Sequence, residues 1–163
     1  MLSESITGWW RCVDVNYVNQ ISVEDYNYLR RSVGWPELEK KQALTGINNS
    51  AFLVSAIVND QIVGVSRVVS DGGYIAIIVD VIVLPEYQGN GIGKRMMQMV
   101  MEFITSNLEE GQFVFVNLMA AKDRETFYSQ YGFEVRPNER VGAGMTQYIY
   151  YNRPECRSSF TDD

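Results

Sequence analysis

The stretch Val81-Ile82-Val83-Leu84-Pro85-Glu86-Tyr87-Gln88-Gly89-Asn90-Gly91-Ile92-Gly93-Lys94-Arg95 decides the fold. Its apolar head continues a run that begins at Tyr74, is interrupted by Asp80, and reads as a strand buried on both faces. Beyond it Ile92, Met96, Met99, Val100 and Phe103 recur at helical spacing, so a helix from about Gly91 to Ser106 lays one face on a sheet. Glycines join the two. Small residues at a helix start leave backbone amides facing outward, where unpaired N–H groups and the helix dipole favour an anion. Lys94 and Arg95 stand in the first turn, where a cation normally costs ~0.3–1 kcal/mol, and no carboxylate of that turn offsets them. A bound phosphate or pyrophosphate would reverse the sign of that arrangement. The same residues would also serve as a flexible turn with two solvated cations, but their place after a buried strand favours anion binding.

Two well-known phosphate loops do not fit. A P-loop needs glycine six positions before its lysine, where Lys94 has Gln88, and Arg95 replaces the required serine or threonine. A Rossmann turn needs a third glycine where Lys94 stands.

Working outward, Asp71-Gly72-Gly73 is a strong turn before the Tyr74 strand, and Asn59-Asp60 is a hairpin signal between strands at Ala51 to Val58 and Gln61 to Val69. Connections this short make the meander antiparallel. Toward the N-terminus, Val13 to Val18 reads as a short strand. Ser22 with Asp25 three residues later resembles a capping box for a helix to about Val33, stopped by Gly34-Trp35-Pro36. A weaker helix covers Glu37 to Leu44 and ends near Gly46. Downstream, Gln112 to Leu118 reads as a strand, Asp123 to Tyr131 as a short helix, and Phe133 to Val135 and Met145 to Tyr151 as closing strands. The order β-α-α-β-β-β-α-β-α-β-β implies one α/β domain over residues 1–155, built on a mixed, mostly antiparallel sheet flanked by helices. The polar tail 156–163 lies outside it.

Composition narrows the chemistry. With 46% hydrophobic and 21% charged residues, the 163-residue chain is of the globular class and large enough to bury a substantial core. Fourteen basic against 20 acidic residues leave a charge of −6, with no basic footprint for nucleic acid and a weak bias toward cationic substrates such as amines. No apolar run approaches a membrane span, and no signal pattern opens the chain. Cys12 and Cys156 read as free thiols of a cytoplasmic protein, though a disulfide between them stays open. The absence of histidine is the most informative count. It removes His-based triads, His-ligated zinc and the usual near-neutral proton shuttle. Any acid–base work falls to carboxylates, tyrosine, lysine, cysteine or water.

Gln88, Gly91 and Gly93 fill the pattern Gln/Arg-x-x-Gly-x-Gly/Ala, and Thr126-Phe127-Tyr128-Ser129-Gln130-Tyr131-Gly132-Phe133 contains Phe-Tyr-x-x-x-Gly-Phe. Both motifs, in register and with the same strand order, resemble the GNAT superfamily of N-acetyltransferases over roughly Ala51 to Phe133. The N-terminal 50 residues resemble it more loosely.

The resemblance implies a single-domain GNAT fold whose fourth strand is bulged and splayed from the fifth, leaving backbone groups of Val81, Ile82 and Val83 for the pantetheine of acetyl-CoA. It places the pyrophosphate on the amides of Gln88, Gly89, Asn90, Gly91, Ile92, Gly93 and Lys94. Tyr128 takes the family position of the acid that protonates the leaving thiolate. A phenol near pKa ~10 is protonated at neutral pH and suits that task, although Phe127, Tyr128 and Tyr131 also have core spacing.

The general base is less defined. Ile77 and Val79 stand where family members often carry a glutamate or histidine. Asp80, costly amid apolar residues unless paired, either positions a water or the acceptor amine or meets a structural partner. Glu24 and Glu37 are weaker candidates. Ala121 replaces an asparagine common seven residues before the tyrosine. Trp9-Trp10, Tyr26, Tyr28 and Trp35 would line an acceptor pocket or, more commonly for aromatics, a core.

Taken together, the expectation is an acetyl-CoA-dependent N-acetyltransferase acting on a small-molecule or peptide amine by direct attack in a ternary complex. It needs no metal, nucleic acid or membrane, and its C-terminal strand offers an edge for a homodimer. A non-catalytic acyl-CoA-binding regulatory module would keep the loop without the Tyr128 chemistry. A nucleotide-binding domain would require the loop to hold ATP.

Overall fold

The computed structural model describes residues 14–106 and 108–150. The chain divides into two compact units, residues 1–119 and 120–163.

In the first unit β1 (Asn16–Val18), β2 (Phe52–Val58), β3 (Gln61–Ser70), β4 (Ile75–Val83) and β5 (Phe115–Leu118) form one sheet in the order β1-β2-β3-β4-β5. The first three pairings are antiparallel and β4–β5 is parallel. The β2–β3 hairpin turns at Asn59 and Asp60, both at positive φ (48° and 61°), as a tight turn matched to strand twist requires. Every residue from Ile62 to Val68 is buried, so both faces of β3 are covered.

One cover is α3 (Ile92–Ser106), which packs across β2, β3 and β4 and buries Ile92, Met96, Met97, Val100 and Ile104. Each such side chain contributes about 1.5–3 kcal/mol of transfer free energy. Of the helix face expected from periodicity, Met99 and Phe103 are half-buried at its margin, Phe103 stacking on Phe52 at 4.8 Å between centroids. Gly64 leaves no room for a side chain. A Cβ there would lie 2.9 Å from the Ile82 carbonyl oxygen and 3.1 Å from the Met96 methyl, so a side chain would push β3 from β4.

The helices α1 (Val23–Ser32) and α2 (Lys40–Asn48) precede β2. The Ser22 hydroxyl accepts the Asp25 amide at 2.9 Å, which is the expected cap. At the other end Gly34 takes φ 77° and the Trp35 amide returns to the Arg30 carbonyl at 2.9 Å, closing the helix on a left-handed residue. The second helix begins three residues later than its pattern implied, because the Glu39 carboxylate caps the Gln42 amide.

In the second unit α4 (Glu125–Ser129) ends in a turn with Gly132 at φ 85°. The closing strands expected at 133–135 and 145–151 are absent among the described residues. Met145 is 93% and Ile149 85% exposed, so the apolar side chains there are not packed as a sheet strand would pack them. The edge anticipated there for a dimer has no strand among the described residues. The expected start of β1 at Val13, the Trp9-Trp10 pair, both cysteines and the tail fall outside the described residues.

Candidate acyl-transfer site

The two halves of β4 have different neighbours. From Ile75 to Ile78 the strand is paired on both sides, with β3 and with Phe115–Leu118 of β5. From Val79 to Val83 it pairs, among the described residues, with β3 alone. The Leu84 amide donates to the Val63 carbonyl at 2.8 Å, which fixes by alternation the direction of the groups back to Val81. Ile82, opposite Val65, turns its backbone into the sheet, while Val81 and Val83 turn theirs to the open edge. Of the three residues the resemblance nominated, two therefore offer free-edge backbone. Ile82 does not, and its side chain is core. The Val83 carbonyl is also engaged, accepting the Gln88 side-chain amide at 2.9 Å. Gln88 thus ties the glycine loop to the strand before it.

The loop follows a single tight turn, Pro85–Tyr87. Gly89 and Gly91 both sit at φ 78°, with nothing within 4 Å of a would-be Cβ, so glycine serves the backbone conformation there rather than space. The Asn90 side chain donates to the Tyr87 carbonyl at 3.0 Å and the Gln88 carbonyl at 3.2 Å, bracing the turn from within. The Arg95 amide makes the first helical bond, to the Gly91 carbonyl at 2.9 Å. Among the described residues, the amides of Gly89, Asn90, Gly91, Ile92 and Gly93 meet no acceptor. Such a row at a helix start is a donor cradle for an anion. No carboxylate lies in that first turn, as the sequence indicated. Arg95 is not unopposed, however; it reaches Glu102 two turns along, at 3.4 Å.

Asp80 is committed to structure. It sits at the register shift of β4 with φ 53°, a conformation that costs a non-glycine residue about 1–2 kcal/mol. Its Oδ2 accepts the Tyr26 hydroxyl and the Arg67 Nε, each at 2.7 Å; Arg67 Nη2 lies 2.7 Å from the same oxygen as an ion pair, and Arg30 Nη1 lies 3.5 Å from Oδ1. Both carboxylate oxygens are thereby engaged by protein groups. Of the two roles the sequence left open for Asp80, positioning a water or the acceptor amine and meeting a structural partner, the second is the one the contacts display. Burial, and then the Asp80 charge, push the Tyr26 phenol above its ordinary pKa. The sequence offered no signal for Tyr26 and Arg67 as partners; they lie 54 and 13 residues from Asp80. Glu24 and Glu37 are exposed, paired with Lys40 and Arg31.

Tyr128 belongs to the second unit. It is 8% exposed, edge-on to Phe127 at 5.0 Å and to Phe133 at 6.4 Å between ring centroids. Burial raises its pKa above 10.0, with Arg124 acting weakly against it, so the phenol is protonated throughout the neutral range. Among the described residues its hydroxyl donates to no protein acceptor.

A cavity of about 600 Å³ opens in the first unit between the β1–α1 connection and the end of α2, lined by residues including Asn19, Ile21, Ile47, Ser50 and Leu53. The acceptor aromatics proposed from sequence do not border it: Tyr26 is core, and Tyr28 and Trp35 are partly exposed elsewhere. Among the described residues no cluster of acidic or thiol side chains gathers to hold a metal. No described helix is long and apolar enough to cross a membrane.

A family profile described as "Acetyltransferase (GNAT) domain" matches residues 24–150. An "Uncharacterized N-acetyltransferase ycf52" of Pyropia yezoensis is 31% identical over 137 residues, 82% of this chain and 74% of its own length. Among solved structures, a Staphylococcus aureus protein of unknown function described as "Probable Acetyltransferase" superimposes with a TM-score of 0.73 at 33% identity, over 85% of this chain and all of the other. A GNAT-family acetyltransferase of Streptococcus pneumoniae gives 0.63 at 26%, over 86% of this chain and 98% of its own.

Proposed function

Because the chain belongs to the GNAT family of acetyltransferases, we propose that it moves the acetyl group of acetyl-CoA to an amine by direct attack in a ternary complex. The acceptor is a small-molecule or peptide amine. The observation that carries this reading is the sequence of free donors running from the open edge of β4 into the glycine loop. The amides of Val81 and Val83 face outward, and those of Gly89 to Gly93 have no acceptor among the described residues. That spread suits a ligand with a thioester and amides at one end and a diphosphate at the other.

When bound, acetyl-CoA supplies an activated acyl carbon. The amine nitrogen bonds to that carbon, the carbon–sulfur bond breaks, the ammonium proton passes to water, the departing thiolate takes a proton from Tyr128, and water returns a proton to the phenolate. An outward amide of β4 donates to the carbonyl oxygen as it gains charge, and a preorganised donor of this kind is worth about 10²–10³-fold in rate. What recommends Tyr128 is its own environment: a buried phenol kept protonated, with a hydroxyl that donates to no acceptor among the described residues. No protein carboxylate is assigned as base, since Asp80 is held by arginine.

Thiol release from acetyl-CoA over a panel of amines tests the reading. Tyr128→Phe should lower kcat by about 10²–10⁴-fold while calorimetric affinity for CoA stays unchanged. Unaltered kcat would remove Tyr128 from the chemistry. Absence of CoA binding by the wild type would remove acetyl-CoA.

A further inference from the structure

The register shift at Asp80 decides which backbone groups of β4 face the open edge. The Tyr74 carbonyl accepts the Phe115 amide at 2.6 Å and so points to β5, and by alternation the groups of Ala76 and Ile78 do the same. On the far side of the shift it is the odd-numbered residues, Val81 and Val83, that point outward. The reversal arises because Arg67 stands opposite Val79 but Val65 stands opposite Ile82, leaving one extra residue in β4. Without that residue the alternation would continue, and Ile82 would turn its amide to the edge in place of Val81.

Side chains from outside the strand hold the extra residue in place. Tyr26 of α1 and Arg67 of β3 deliver two hydrogen bonds to Asp80 Oδ2, and Arg67 Nη2 adds an ion-pair contact. The same guanidinium reaches the other way, its Nη1 donating to the Gly46 carbonyl at 2.7 Å and the Ser50 hydroxyl at 2.8 Å. One arginine therefore fastens the kink of β4 to the end of α2, while its plane lies over the Tyr26 ring at 5.4 Å. Arg67 and Asp80 side chains are 11% and 10% exposed, so the pair is shielded from solvent. A left-handed aspartate is unfavourable by itself and persists only when its surroundings over-determine it.

We propose that Arg67 and Asp80 are positioning residues for acyl transfer, locking the β4 kink so that the Val81 amide faces the acyl carbonyl. This rests on the acetyl-transfer reading above. The glycine loop lies beyond Leu84 and is braced by its own contacts, so loss of the lock should disturb the acyl end of the site and spare the diphosphate end.

Arg67→Lys keeps the charge and loses the fork; Asp80→Asn keeps the shape and the tolerance of positive φ and loses the charge. In each, kcat should fall about 10–100-fold while the calorimetric Kd for CoA shifts less than threefold. Hydrogen exchange at the Ile82 and Leu84 amides should quicken at least tenfold relative to Val100 in α3. A role confined to stability would lower Tm and leave kcat per folded molecule and the exchange ratio unchanged, and that result overturns the proposal. Should either variant fail to fold, Tyr26→Phe removes a single donor from Oδ2 and is read by the same exchange ratio. A wild type that releases no thiol with any amine defeats the acetyl-transfer reading, while the exchange measurement still judges the lock.

Discussion

Ile75–Ile78 and Val79–Val83 are both largely aliphatic, yet one half of β4 is paired on both sides and the other on one. The first half has a strand on each side, so its backbone is consumed by the sheet. The second half has lost its β5 neighbour and keeps outward amides at Val81 and Val83. Side-chain chemistry alone does not explain the difference, since the first half is Ile-Ala-Ile-Ile and the second is valine and isoleucine around Asp80. A site that recognises its ligand through peptide groups needs only a missing neighbour and a kink that aims what is exposed.

Three measurements probe that contrast. The largest effect belongs to the paired half. Ile78→Ala removes a side chain only 2% exposed and should cost about 2–5 kcal/mol in a urea titration, with CoA affinity unchanged. A change in CoA affinity would mean that the halves are not separable. Next comes the loop that continues the open half. Gly91→Ala meets no steric obstacle but must adopt φ 78°, which costs about 1–2 kcal/mol, and calorimetry should show CoA affinity falling about tenfold. Equal affinity would show that the loop conformation is not what presents the amides.

The smallest effect concerns the joint between the halves. The Tyr26 phenol has a raised pKa in the folded state, so its contribution to stability is complete below pH 10.0 and is lost as pH climbs through the folded value. Urea midpoints above pH 10 should accordingly decline less steeply in Tyr26→Phe than in the wild type. Parallel declines would mean that Tyr26 ionisation carries no weight at the kink.

Much of this was legible in the residues themselves. Asn59-Asp60 marked the hairpin because few residues tolerate left-handed φ, and Ser22 with Asp25 marked a helix start because orphan amides need an acceptor nearby. The glycine loop was legible for the same reason, as was the burial of Ile92, Met96 and Val100 at helical spacing. The start of α2 was misjudged because Glu39, not a serine or threonine, caps it. The closing strands expected at 133–135 and 145–151 do not form among the described residues, because a run of strand-prone residues becomes a strand only beside a paired neighbour, which local composition does not supply. Asp80 was singled out as a carboxylate in an apolar strand, but its role depended on residues the reading had placed elsewhere: Arg67 in the strand interior and Tyr26 among acceptor aromatics.

The linear order of residues determined the local elements, the turns between them and the donor-rich loop, since each depends on groups within a few positions of one another. Only the tertiary structure decided where β5 leaves β4, which amides then face outward, and that Asp80 is held by Arg67 and Tyr26 rather than left to act as a base. Those outcomes depend on which distant segments meet, and a carboxylate's chemistry is set by the charges and donors that surround it in space.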